Sequence, residues 1–172
     1  PASQLAGRST LLELIARRHR GRWSGWLSYT YARSFRVNPA RDGQVHPYVL
    51  DQPHALTAVA SARLGRRWRL GGRFRFTTGN PITPVAGAYQ ERDGDWVPVD
   101  GPLLSTRLPD FVQFDVRLDR TWGGGAWVLY LDLQNIANRA NPEGVTYNED
   151  FTRRRYTTGL PIFPSLGVEY AP

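Results

Sequence analysis

Nine polar side chains recur at two- or four-residue spacing inside stretches that are otherwise apolar at alternate positions. They are Arg69, Arg73 and Arg75, then Asp115, Arg117 and Asp119, then Asp132 and Gln134, and finally Glu169. On a strand, positions two apart share a face, and neighbouring strands bring facing residues within about 5 Å. The spacing therefore predicts a mixed-sign ladder of guanidinium and carboxylate groups lining one wall. A second set lies in turn-rich segments: Tyr48, Tyr89, Trp96, Tyr147 and Phe151, with the run Arg153, Arg154 and Arg155. Rings beside arginines suit anionic, planar ligands such as ferric chelates. Tyr147 and Tyr156 read equally as part of a hairpin that merely projects from the fold.

Neither set resembles catalytic machinery. The histidines are His19, His46 and His54, and the chain has no Cys and no Met. Disulfides and thiolate metal sites are therefore absent from it. His46, Asp51 and His54 share a segment and could hold a metal, yet their spacing matches no ligand motif. Asp51-Gln52-Pro53-His54 reads more simply as the junction of a loop with a strand. No Ser–His–Asp order rests on a strand–turn–helix elbow, and no glycine-rich loop precedes a helix. Gly123–Gly125 is a turn. The expectation is a protein that is not an enzyme, with no cofactor and no resident metal.

The elements that must position these residues are strands. In Trp68–Thr78, Trp68, Leu70, Gly72, Phe74 and Phe76 fall on one side and Arg69, Gly71, Arg73, Arg75 and Thr77 on the other. An apolar face backed by three arginines suits lipid outside and a polar lumen inside. Six more stretches alternate in the same way: Thr10–Arg18, Trp23–Phe35, Ala55–Leu64, Val112–Trp122, Ala126–Asn138 and Pro164–Tyr170. Each is near the roughly 9–11 residues a tilted strand needs to cross a bilayer. Their connections alternate too. His19–Arg22, Gly65–Arg67 and Gly123–Gly125 are short, whereas Arg36–His54, Gly79–Asp110 and Arg139–Gly159 are long. This rhythm predicts an all-β, antiparallel up-and-down transmembrane β-barrel segment of about seven to eight strands, with one plain rim and one elaborated rim.

Composition agrees. Aromatic residues make up 12% of the chain, which fits an interfacial girdle. No run of eighteen apolar residues is present, so a closed barrel is the remaining way to span a bilayer. The net charge of +7 is carried by arginine, with no lysine. Nucleic acid is the reflex partner for such a charge, but these arginines sit in alternating strands and tight turns, with no basic helix. They cluster at the short-turn rim as Arg17, Arg18, Arg20 and Arg22, then Arg63, Arg66, Arg67 and Arg69. There they would meet phospholipid headgroups, or form a solvated basic edge. The lack of Met and of a leader-like opening at Pro1–Thr10 suggests a removed signal peptide or a longer parent chain.

Several pieces together carry a resemblance. They are Trp26-Leu27-Ser28-Tyr29-Thr30 with Arg33-Ser34, Asp51-Gln52-Pro53-His54, and Arg73-Phe74-Arg75-Phe76 running into Gly79-Asn80-Pro81-Ile82-Thr83-Pro84. Next come Arg107-Leu108-Pro109 before Asp115-Val116-Arg117-Leu118-Asp119, then Leu131-Asp132-Leu133-Gln134-Asn135-Ile136-Ala137-Asn138, then Gly159-Leu160-Pro161. In this order, over nearly the whole chain, they resemble the C-terminal β-barrel portion of TonB-dependent outer-membrane receptors. The resemblance implies a bacterial outer-membrane location and a 22-stranded barrel of which this chain supplies about the last seven strands. It also implies a plug domain, partnership with the TonB complex through that plug, and import of a scarce small molecule such as a siderophore, cobalamin or sugar. The ladder residues would grip the plug, and the loop residues would meet the ligand. The chain departs from the family at its end, where Ala171 and Pro172 follow the expected aromatic, Tyr170. Two other readings compete: a free-standing small outer-membrane barrel acting as adhesin or pore, and a soluble lipocalin-like barrel. The second requires an apolar lumen, which the charged ladder argues against.

Overall fold

A computed structural model describes residues 6–37 and 43–170. The closing pair Ala171 and Pro172, the start of the chain and part of the first long loop lie outside the described residues. In chain order the strands are β1 Ala6–Arg18, β2 Trp23–Val37, β3 Val45–Pro47, β4 His54–Arg63 and β5 Trp68–Thr77. There follow β6 Pro81–Ile82, β7 Val85–Gln90, β8 Trp96–Asp100, β9 Thr106–Arg107 and β10 Phe111–Trp122. The last four are β11 Trp127–Gln134, β12 Pro142–Tyr147, β13 Arg154–Thr158 and β14 Phe163–Tyr170. No α-helix occurs among the described residues.

The seven long strands pair antiparallel in the order β1-β2-β4-β5-β10-β11-β14, with β3 added to the end of β2. Each therefore pairs with its sequence neighbours among the long strands, as the alternation of short and long connections predicts. The short turns are tight. Leu64 N–H donates to Trp68 C=O at 2.9 Å across a turn whose Gly65 has φ +107°, a conformation costly for any residue with a Cβ. The sheet is open: β1 pairs with β2 alone and β14 with β11 alone among the described residues. No closed barrel forms among the described residues.

Register fixes two unlike faces. One row runs Leu70, Leu118, Leu131, Leu166 across four strands. A parallel row runs Ala16, Leu27, Ala58, Phe74, Phe114. The opposite face carries the pairs Arg73–Asp115 and Arg117–Asp132. Nothing among the described residues covers the apolar face. Leu14 is 57% exposed, Leu70 40%, Phe114 40% and Leu166 71%, and the few buried apolar side chains among the described residues are Ala62, Leu108 and the prolines Pro53 and Pro81. A water-soluble domain of this size removes most of its chain surface from solvent around a core. This chain instead buries polar groups, namely Asp51, Asp115, Asn135 and Asn141.

Three features depart from the sequence expectation. The Ala126–Asn138 stretch is a strand only to Gln134, because Asn135 takes φ +51° and its N–H turns to Asp115 Oδ1 at 2.8 Å. β11 is consequently eight residues, as is β14, which starts one residue before the expected Pro164; both are just under the usual span, while β10 has twelve. At about 3.4 Å per residue and a tilt near 40°, β10 rises about 30 Å, enough to cross an apolar band of roughly 25 Å. The long loops are also structured: β7 and β8 form one hairpin and β12 and β13 another, with β6 and β9 pairing at the base of the second loop.

Candidate functional site

The polar face is organised around two residues. Asp115, on β10, is 4% exposed and collects donors from two strands, β5 and β10 itself, and from the loop after β11. Arg73 Nε–H donates to its Oδ2 at 2.8 Å, Gln113 Nε2–H to its Oδ1 at 2.7 Å, and Arg75 lies 3.8 Å from Oδ2. With the Asn135 N–H, both carboxylate oxygens are satisfied, which a buried charge requires. Arg117 is the second centre. It turns from its register partner Asp132 and donates instead to Asp119 Oδ1 at 2.7 Å and Glu169 Oε1 at 2.8 Å. To reach β14 it crosses β11 over the Tyr130 ring, with its guanidinium carbon 4.0 Å from the centroid. Gly167, opposite Tyr130, makes this possible, since a Cβ there would collide with the phenol.

The remaining ladder members are less engaged. Arg69 faces Asp119 in register but forms no ion pair among the described residues, and neither does Asp132. Gln134 lines a rim cavity of about 260 Å³ with Arg75, Gln113 and Glu143. Beside Arg117 an open groove of about 390 Å³ lies across Ser61, Gly71 and Asp132, walled by Trp26 and Arg73. Absence of a side chain at Gly71 forms its floor. A face of this kind, charged, hydrogen-bonded and hollowed, can receive a polar body by complementary charge and shape.

The loop residues do not converge on one site. Tyr48 is tied to the rim, its N–H donating to Ser34 C=O at 2.8 Å and its ring 4.5 Å beneath the Arg36 guanidinium. Tyr89 and Trp96 share the β7–β8 hairpin, but Trp96 faces Gln90 in register, which puts it on the opposite side from Tyr89. Tyr147 and Arg154 do face one another on β12 and β13, with Arg154 also 5.8 Å from the Tyr156 ring. Arg155 falls on the other side, opposite Thr146, and Arg153 uses its N–H to bond Asn148 Oδ1 at 2.8 Å. One contact joins the two hairpins: Val85 N–H donates to Tyr147 Oη at 3.4 Å.

His46, Asp51 and His54 go to three different partners. His46 Nδ1 lies 2.9 Å from Pro47 C=O, and His54 Nδ1 lies 2.8 Å from Tyr29 Oη, with the His54 ring stacked on Tyr29. Asp51 accepts from Ser34 N–H at 2.6 Å and is paired with Arg107. No group of three such side chains is placed to hold a metal among the described residues.

Arg107 and Asn141 anchor the loops, and neither residue type nor spacing marks them in the sequence. Arg107 donates to the carboxylate and the backbone carbonyl of Asp51 and to Gly79 C=O at 3.0 Å, so it joins the first long loop to the second. Asn141 imitates a strand neighbour. Its Oδ1 accepts Val112 N–H and its Nδ2–H donates to Val112 C=O, both at 2.9 Å. The available signal was an Asp or Asn at the junction between a strand and a Pro- or Gly-bearing loop. Compared with known protein families, with curated proteins and with solved structures, the chain matches none.

Proposed function

We propose that this chain is the C-terminal barrel portion of a bacterial outer-membrane receptor that binds a scarce small molecule and imports it with energy relayed through TonB. The observation that carries the reading is the pairing of an uncovered apolar face with a charged, hydrogen-bonded face on the same seven-strand meander. Such a sheet has no stable home in water, and a bilayer on one side with a polar interior on the other satisfies both faces. The open edges at β1 and β14 fit a chain whose neighbouring strands are supplied by the rest of a larger barrel, 22-stranded in this reading.

In this reading the ladder from Arg69 to Glu169 faces the lumen and meets the plug domain, with the hollow at Gly71 accepting part of it. Tyr147 and Arg154, together at the elaborated rim, are the first candidates for ligand contact, and Tyr48 serves as packing. The test is uptake by cells carrying the full reading frame, using a labelled ferric siderophore, cobalamin and a maltodextrin as probes. Uptake of one probe that disappears with the protein, and also in a strain without TonB, is the expected result. Outer-membrane fractionation that leaves the protein in the soluble fraction overturns the proposal.

A further inference from the structure

The short-turn rim carries an arrangement that import does not require. Trp23, Trp68, Trp122, Trp127 and Tyr170 end their strands there, and register puts all five on the apolar face. All are exposed, from 40% at Trp122 to 63% at Trp23. Trp122 and Trp127 stack with centroids 6.2 Å apart, Trp127 and Tyr170 lie 4.5 Å apart, and the Arg120 guanidinium sits 5.4 Å from the Trp68 ring. The band slants across the register, from the Leu70–Leu118 row at Trp23 to four residues further along at Trp122. Tilted strands require such a slant of rings at one depth, and amphipathic rings at one depth mark a headgroup layer.

Immediately beyond the band, in the turns, come Arg20, Arg22, Arg66 and Arg67, all exposed. None of these, nor Arg120, makes an ion pair among the described residues. The acids closest along the strands, Asp119 and Glu169, are occupied by Arg117 on the opposite face. Cations left uncompensated on the turns, one step outside a tryptophan band, are placed where lipid phosphates would lie, and guanidinium grips phosphate in two-point fashion.

We propose that this rim is a binding band for anionic, phosphate-bearing lipid headgroups, so that the lipid touching the chain is enriched in anionic over zwitterionic species. The proposal rests on the membrane reading above and adds to it the chemistry of the lipid. Arg18 and Arg120 project on the same face as the rings, and Arg20, Arg66 and Arg67 reach from the turns.

Tryptophan quenching by brominated lipid tests it in the full protein in bilayers. Bromine is carried on phosphatidylglycerol in one preparation and on phosphatidylcholine in the other, at equal bulk fraction. The expected result is quenching about two-fold stronger from the anionic carrier, weakened by high salt. In the variant Arg20→Gln, Arg22→Gln, Arg66→Gln, Arg67→Gln the preference should vanish, while quenching by the zwitterionic carrier persists and certifies insertion. Equal quenching from both carriers in the parent protein overturns the headgroup proposal and leaves the membrane reading standing. No quenching from either overturns the membrane reading itself. Loss of the preference on adding inorganic phosphate at constant ionic strength would assign the arginines to a soluble anion and also overturn it.

Discussion

Arg107 closes over Asp51, a carboxylate 2% exposed and fifty-six residues earlier in the chain, and so locks the first long loop to the second. Asp51 is also held by Ser34 N–H, and Arg33 stands 3.6 Å away. Arg107→Ala leaves that buried charge without its main partner, at a cost of about 3–5 kcal/mol. Denaturant unfolding of the folded protein, followed by tryptophan fluorescence, should register the loss. The double variant Asp51→Ala, Arg107→Ala should recover part of it, because the stranded charge is gone. A single variant as stable as the parent contradicts the lock.

Gly79 supports the same junction by close approach. A Cβ there would run into the Leu108 carbonyl, which is backbone and has no rotamer to escape through. Gly79→Ala should therefore destabilise by about 1–3 kcal/mol. Gly87, with open space around it and no positive φ, is the control, and Gly87→Ala should unfold at the same denaturant concentration as the parent.

The tip between β12 and β13 should respond to acid. Asp150 accepts from Thr152 Oγ1–H at 2.6 Å and Thr152 N–H at 3.1 Å, and these bonds hold its carboxyl below the ordinary aspartate value. A depressed folded-state value means that the carboxylate favours the folded tip above the ordinary value, about 3.9, and that this contribution fades as pH falls through the lowered one. Hydrogen-exchange protection of the Thr152 amide should accordingly be constant from neutrality to about pH 5 and fall at lower pH. In Asp150→Asn the acid step should be absent. A parent tip whose protection is flat through that acid range contradicts the assignment.

The strands were legible because side-chain alternation is a local signal. Arg73, Phe74, Arg75 and Phe76 announce two faces whatever lies beside them, and the glycines of the short turns mark where each strand ends. The loop anchors are products of tertiary pairing. Asn135 leaves the strand because Asp115, twenty residues back, takes its N–H, and Asn141 completes a ladder at Val112 through its side chain. Neither act leaves a periodic trace. The candidate site was legible in the same proportion. Residue types on the ladder followed from alternation, whereas Arg117 choosing Glu169 over Asp132 depended on Tyr130 and on the space at Gly167. Tyr89 and Trp96 look like partners in sequence, and the β7–β8 register separates them.

Two open edges carry a further consequence. Among the described residues, β1 offers thirteen residues and β14 eight with one side of each backbone unpaired, and unpaired backbone is intolerable in hydrocarbon and adhesive in water. The 172-residue chain alone in detergent should therefore run as associated species on mild electrophoresis and in size-exclusion chromatography. A sharp monomeric band that shifts on heating would contradict an incomplete barrel and favour a small closed one.

In the proposed membrane reading, Leu70 and Phe74 touch acyl chains while Arg69 and Arg73, their neighbours on β5, face an aqueous interior. The chain has no cysteine, so single cysteines can be placed at these four positions and spin-labelled in the protein in bilayers. Collision with oxygen, which partitions into lipid, and with a water-soluble nickel chelate should alternate with period two: oxygen at 70 and 74, nickel at 69 and 73. Labels at 70 and 74 that meet the nickel chelate, or neither reagent, contradict the account.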